Sequence, residues 1–331
     1  MISRTSKRFR QCFEKLPAKV QSEARDAFRF FQKDHSYQSL NFKKVILITG
    51  TSSGFGMVTA ARLASKGYRV VATMRDLSRE GDLLQEVQER GGTVDVMRMD
   101  VTDVNSIEKC VEEVIQKYQR IDVLVNNAGY GVGGAFEDLT QEEICQNMEV
   151  NLFGVQNVTR AVLPQMRRQR SGRIINLSSI SGLTVSPLFS AYNASKWALE
   201  AFSEALFYEV KPFGIHVSLI EPGTYPTKIF YDNAKYAKRF DDGTSPYYVV
   251  SQSLKKRVMS YVDSSKKNPE TIAILIEKLI EKRNPALRNL PDWESRIMAA
   301  LRRFLPSCVY HGIILSCVSK IPAQPESKKQ R

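Results

Sequence analysis

From residue 45 onward the chain alternates between two hydrophobic periods. Val45–Thr49 is continuously apolar and β-branched, as a strand covered on both faces requires. Residues 57–66 then repeat apolar positions at helical spacing. The alternation continues with predicted strands at 69–74, 93–99, 121–125, 173–177 and 215–220, and helices at 79–90, 104–119, 141–168 and 191–211. Asp103 stands where a cap for helix 104–119 is expected. Repeated strand–helix units of this length imply right-handed crossovers and an α/β, doubly wound parallel sheet in a single domain. Ligands of such sheets bind at the carboxyl ends of the strands.

The pattern changes at both ends. Residues 1–44 carry Phe9, Phe13, Leu16, Val20, Ala24, Ala27, Phe28 and Phe31 at helical spacing with basic residues between them, and Pro17 splits the run into two short predicted helices. After strand 215–220, residues 225–263 are rich in aromatics and lysines, including Phe230, Tyr236, Phe240 and Tyr261. A helix is predicted from Asn268-Pro269-Glu270 through Glu281, with Pro269 suited to its first turn. A seventh strand is expected near 286–290, although those residues lack β-branching. A second helix over 293–305 carries Arg296, Arg302 and Arg303 on its polar side. Residues 309–315 are apolar but far shorter than the roughly 20 residues needed to span a bilayer. That segment is expected to pack on the body or on a second subunit, and peripheral contact with a membrane is the other use of a basic, apolar tail. The layout is thus a basic helical leader at 1–44 and one domain at 45–320 with a helical C-terminal extension. The aromatic segment is set off at about 225–265, and a disordered tail is expected over 321–331.

Composition narrows the picture. Apolar residues make 43% of the chain and charged residues 25%, the values of a soluble globular protein, so a cytoplasmic location is expected. The net charge of +13 sits mostly at the ends: residues 1–44 hold eleven Lys/Arg against four Asp/Glu, and residues 318–331 four against one. Subtracting +7 and +3 leaves +3 for 45–317, so global basicity is no argument for nucleic-acid binding and no nucleic-acid partner is expected. The five cysteines, Cys12, Cys110, Cys145, Cys308 and Cys317, are scattered without metal spacing and read as reduced thiols, with no metal site.

Candidate chemistry collects at the predicted strand ends. Gly50-Thr51-Ser52-Ser53-Gly54-Phe55-Gly56 follows the first strand, where its glycines permit a tight turn and close backbone approach. The helix start then offers open N–H groups to a phosphate, and Ser52 and Ser53 add hydroxyls. At the end of the second strand stands Met74, followed by Arg75. A guanidinium there suits the 2′-phosphate of NADP(H), while Asp76 keeps NAD(H) open as the alternative. Asp100, with Val101 after it, can accept from an adenine amino group or cap a helix. Asn126-Asn127-Ala128-Gly129 lets backbone lie against a ribose while the asparagines tie strands together. Asn151, mid-helix, can satisfy a buried carbonyl or hold a water. Ser178 and Ser179 end strand 173–177, and after a loop with Gly182 and Pro187 a helix carries Tyr192 and Lys196 one turn apart on one face. Hydroxyl, phenol and ammonium converging make a proton-transfer site; Tyr-x-x-x-Lys by itself equally fits an ordinary amphipathic helix.

Together these residues resemble the short-chain dehydrogenase/reductase family over about 45–225. The glycine turn, Asn-Asn-Ala-Gly, Asn151, Ser179, Tyr192 and Lys196 stand in family order and spacing. Pro222-Gly223, with Thr224 and Thr227, resembles the family's nicotinamide-side loop. Ala72-Thr73-Met74-Arg75-Asp76 and the extended C-terminal part resemble the branch acting on steroids, retinoids and related carbonyls. The resemblance implies a Rossmann fold and hydride transfer between NAD(P) and an apolar secondary alcohol, ketone or aldehyde. Tyr192 would be the acid/base. Lys196 would favour its phenolate and bond the nicotinamide ribose, and Ser179 would bond the substrate oxygen. Asn151 would support a water linking Lys196 to solvent. Ser178 competes with Ser179, but the thirteen-residue offset to Tyr192 fits the family only for Ser179. The family also implies a cover over the substrate at about 225–265, and a dimer or tetramer joined through the helices bearing Asn151 and Tyr192.

Two rival readings come from elsewhere in the chain. Residues 1–44, with Arg-Thr-Ser-Lys-Arg-Phe, Leu-Pro-x-x-Val-Gln and Ser-Leu-Asn-Phe-Lys, resemble the opening of ribosome-dependent ribonuclease toxins, without the sheet that carries such a toxin's catalytic residues. This segment reads as a fusion remnant or as the seat of an RNA-directed role. The other rival is a nucleotide-binding protein without catalysis, for which loss of Tyr192 or Lys196 would be expected; both are present.

Overall fold

The computed structural model describes residues 44–231 and 233–318. The predicted leader and the charged tail lie outside the described residues. Seven strands form one parallel sheet in the order β3-β2-β1-β4-β6-β7-β9. They are β1 (Val45–Thr49), β2 (Arg69–Met74), β3 (Val94–Arg98), β4 (Val123–Asn126), β6 (Gly172–Leu177), β7 (Ile215–Ile220) and β9 (Arg288–Asn289). A separate two-residue pair joins β5 (Val132–Gly133) to β8 (Lys235–Tyr236).

Period-two alternation distributes the central strands between two cores. Ile46 and Ile48 face one side, with Val70 and Ala72, against helices α1 (Gly54–Ser65), α2 (Gly81–Glu89) and α8 (Glu270–Glu281). Val45 and Leu47 face the other side, with Val71, against α3 (Val104–Tyr118), α5 (Gly154–Gln169) and α6 (Ser190–Val210). All five residues of β1 are buried, each large side chain contributing about 1.5–3 kcal/mol. Local signals act as predicted: the Asp103 side chain accepts from the N–H groups of Asn105 and Ser106 and caps α3.

Two expectations are refined. The helix expected over 141–168 is three pieces: α4 (Gln141–Met148), a π-helical turn Glu149–Phe153, and α5. Asn151 sits in that turn, where its side chain holds the backbone of Tyr130, and such turns are frequent at functional sites. The seventh strand exists but is only two residues long, and polar clamps replace β-propensity. Asn289 N–H donates to Glu221, Asn289 Nδ2 donates to the Leu219 carbonyl, and Arg288 pairs with Glu200 and Glu204. The chain ends its described part with α7 (Tyr248–Ser264), α9 (Trp293–Phe304) and α10 (Ser307–Val318). Among the described residues no helix is long and apolar enough to cross a membrane.

Candidate active site

The carboxyl ends of β1, β2, β3 and β4 open onto a groove of about 780 Å³. Its floor is the glycine turn. Gly50 has φ +70°, and a Cβ there would sit 2.7 Å from the Ala128 backbone. A Cβ on Gly56 would come within 2.4 Å of both Asn127 Nδ2 and the Gly50 carbonyl oxygen. Glycine is required at both points because strand, turn and helix approach closer than any side chain allows. Thr49 Oγ1 accepts from the N–H groups of Asn127 and Ala128, and Asn127 Nδ2 donates to the carbonyls of Thr49 and Gly50. The turn is thereby locked to the Asn-Asn-Ala-Gly segment. Ser53 precedes α1 without spending its side chain on the cap, leaving the first-turn N–H groups facing the groove. Of the residues assigned to a cofactor from sequence, Gly50, Ser52, Ser53, Gly54, Phe55, Arg75, Asp100, Val101, Asn127, Ala128, Gly129 and Thr227 line this groove. Gly56 lies beneath it.

The far end of the groove separates Arg75 from Asp76. Asp76 accepts from the N–H and hydroxyl of Ser78, which caps a 3-10 turn over Leu77–Arg79 and holds its carboxyl below the usual range. Its carboxylate is therefore occupied locally. That turn brings a second guanidinium, Arg79, to the groove wall, which helix periodicity alone had not singled out. Asp100 likewise accepts from Thr102 in its own loop. This chain of small, backbone-satisfied contacts fits an adenine dinucleotide, with Arg75 and Arg79 at its far end.

A second cavity, about 420 Å³, adjoins the first and shares Phe55, Asn127, Gly129 and Thr227 with it. Ser179, Tyr192 and Lys196 line this cavity, with Pro222, Gly223 and Thr224 on its rim. Strand β6 delivers the two serines in opposite directions. Ser179 faces Tyr192, and Ser178 is buried against Glu200. Lys196, 6% exposed, donates to the Leu177 carbonyl at 2.8 Å, with its Nζ 5.9 Å from the centre of the Tyr192 ring. Asn151 is completely buried. Its Oδ1 accepts from Tyr130 N–H, and its Nδ2 donates to the Tyr130 carbonyl, Asn147 and Ser195. Ser195 in turn donates to the Tyr192 carbonyl, so the π-turn is tied directly to the helix that carries the phenol.

Burial dominates the electrostatics of Tyr192 and Lys196. Burial pushes the Tyr192 phenol above its ordinary value, with Ser179 opposing, and burial pulls the Lys196 ammonium down to about 8, with Glu200 opposing. Desolvation is the largest cause of both shifts. Below the helix, Glu200 and Glu221 are both buried and share Arg288. Burial pushes the Glu221 carboxyl up to about 8, with Glu200 adding to the rise.

Sequence reading missed several members of this arrangement. Asn147 and Ser195 stand one helical turn from Asn151 and one residue from Lys196, so helix spacing held a usable signal for both. Asp292, Glu294 and Lys267 carried none. Asp292 accepts from Gly223 N–H and Glu294 from Thr224 N–H, while Lys267 pairs with both carboxylates, fastening the start of α9 to the Pro222–Thr224 rim. The aromatic segment does roof the second cavity, through Phe230, Tyr236 and Phe240.

Comparison with known proteins agrees with this geometry. A sequence profile described as "short chain dehydrogenase" matches residues 44–237. A 3-ketodihydrosphingosine reductase of Bacteroides thetaiotaomicron is 40% identical over 245 residues, covering 74% of this chain and 86% of that protein. A short-chain dehydrogenase/reductase of Burkholderia phymatum, solved in complex with NAD, superposes with a TM-score of 0.69 at 25% identity, covering 86% of this chain and 98% of the other. A metagenomic short-chain oxidoreductase, solved in complex with NADP, gives a TM-score of 0.59 at 27% identity over 75% and 96% of the two chains.

Proposed function

We propose that this chain, which belongs to the short-chain dehydrogenase family, is an NADPH-preferring carbonyl reductase of an apolar ketone or aldehyde, with Tyr192 as its acid. Family membership makes it an NAD(P)-dependent oxidoreductase; the direction, the preferred nucleotide and the substrate class are the proposal. The observation that carries it is the junction of the two cavities, where Ser179, Tyr192 and Lys196 converge beside Gly129.

The nicotinamide supplies the hydride when bound. The chain's own residues do the rest. The glycine turn and the first turn of α1 hold the pyrophosphate, and Arg75 and Arg79 take the 2′-phosphate. Ser179 donates to the carbonyl oxygen of the substrate, where negative charge develops. Tyr192, whose phenol is kept protonated by burial, delivers its proton to that oxygen. Lys196, held by the Leu177 carbonyl, has two further N–H groups that would bond the nicotinamide ribose and support the phenol. Asn151 positions: with its donors and acceptors spent on Tyr130 and Ser195, it fixes the Gly129–Tyr130 backbone against the catalytic helix.

The second cavity supports an apolar substrate, because Leu188, Phe189, Phe230, Phe240, Val258 and Met298 stand in its wall. A 3-ketodihydrosphingosine reductase among the relatives is consistent with a long-chain ketone. The test is steady-state reduction of ketones of increasing chain length with NADPH and with NADH. The proposal expects kcat/KM to rise with apolar length and to be higher with NADPH. A preference for NADH, or for short polar carbonyls, would remove the corresponding part.

A further inference from the structure

The two last helices present a surface that ordinary solvent exposure does not explain. On α9, Trp293, Ile297 and Phe304 fall on one stripe at helical spacing, with Trp293 69% and Phe304 76% exposed. Arg296 and Arg303, also exposed, run along the edge of the same stripe. On α10, Val309, Ile313 and Leu315 are exposed, and the helix has no Asp, Glu, Lys or Arg over its whole length. Tyr310 is buried and Ile314 half-buried, one turn apart, so α10 lies against the body by a narrow edge. The single carboxylate on either helix, Glu294, is taken by Lys267. Clustered apolar side chains with unopposed arginines mark an interaction surface rather than a solvated one.

We propose that this face docks on an anionic lipid bilayer. Charge complementarity selects that occupant. The stripe offers guanidinium groups and no free carboxylate. A second copy of the chain meets the face less well, because a twofold contact pairs the face with itself and this face has arginines but no free carboxylate to answer them.

The same face adjoins the substrate cavity. Helix α9 turns Met298 into the cavity while Trp293 and Ile297 face outward. A neighbouring apolar groove of about 520 Å³, lined by Val185, Trp197 and Ile314, shares Ser186, Pro187 and Leu188 with the cavity wall. Docked in this way, the cavity mouth lies at the acyl-chain boundary, and a bilayer-dissolved carbonyl compound reaches Tyr192 with little exposure to water. This access route rests on the carbonyl-reductase reading; the docking itself does not.

Co-sedimentation of the full chain with vesicles of phosphatidylcholine, and of phosphatidylcholine mixed with phosphatidylglycerol, tests the proposal. Binding to the mixed vesicles, weakened by salt, is expected. The pair Phe304→Asp and Ile313→Asp should lower the partition coefficient about tenfold or more, with nucleotide binding and turnover of a water-soluble ketone unchanged. Absence of vesicle binding, or binding equal in the doubly substituted chain, overturns the proposal, the latter by assigning attachment to other basic segments. A dimer that the substitutions dissolve, without vesicle binding, overturns it in favour of a second copy. Vesicle binding through this face by a chain that reduces no ketone would leave the docking standing and remove the carbonyl-reductase reading.

Discussion

The groove and the cavity beside it are built on different physics. At the ends of β1 and β4, position is set by backbone: Gly50 and Gly56 lie where no Cβ fits, and Thr49 and Asn127 spend their polar atoms on main-chain partners. The roof of the second cavity, residues 224–318, is held instead by long-range side-chain clamps. Lys267 joins Asp292 and Glu294 within it, those two carboxylates accept from the Gly223 and Thr224 N–H groups that follow β7, and Arg288 pairs with Glu200 and Glu204 of α6. Backbone cradles tolerate one residue type, whereas side-chain clamps and apolar walls tolerate several. A recurrent cofactor and a variable substrate need that division.

The comparison breaks most severely at the cradle. Gly56→Ala places a methyl against Asn127 and the Gly50 carbonyl, so nucleotide affinity should fall about a hundredfold or more, read by fluorescence titration of folded protein. Retained affinity would show that the turn yields and that backbone does not set the site. Arg75→Ala with Arg79→Ala should weaken NADPH about ten- to a hundredfold and leave NADH nearly unchanged, since charge-assisted bonds to phosphate are worth about 1.5–3 kcal/mol. Equal loss for both nucleotides would place these guanidinium groups away from the 2′ position. On the roof, Met298→Ala should lower kcat/KM for a long ketone by about three- to thirtyfold while cofactor affinity stays constant. A change in cofactor affinity instead would make cradle and roof one unit.

The smallest effect concerns the clamp under the catalytic helix. Glu221, fully buried beside Glu200 and Arg288, has its carboxyl pushed up from 4.5 to about 8 by burial, with Glu200 adding to the rise. The folded chain therefore holds a proton that the unfolded chain releases. The contribution is full below about 4.5 and is lost as pH rises through about 8. The stability advantage of the native chain over Glu221→Gln should shrink across that window in thermal melts, and a constant difference would contradict the assignment.

The same division explains what could be read in advance. Strand β1, the glycine turn and the Tyr192–Lys196 spacing are local patterns, and the doubly wound parallel sheet follows from the strand–helix alternation. Arg79 escaped notice because it reaches the groove through a 3-10 turn that Asp76 caps, where the sequence suggested the start of a helix. Residue 288 was hard to place in a strand because its pairing is enforced by Glu200, 88 positions earlier. The four-residue spacing of Tyr192 and Lys196 is local, whereas the burial that shifts both groups is a property of the packed site and not of that spacing.

The central claim, that Tyr192 donates the proton at a site whose nucleotide binding is independent of it, is tested most directly by single-turnover NADPH oxidation with a long apolar ketone. Native protein and Tyr192→Phe would be compared at saturating nucleotide. The account predicts a rate about a hundred- to ten-thousandfold lower in the variant, with NADPH affinity unchanged. Equal rates in the two proteins would contradict it and move the acid elsewhere in the cavity.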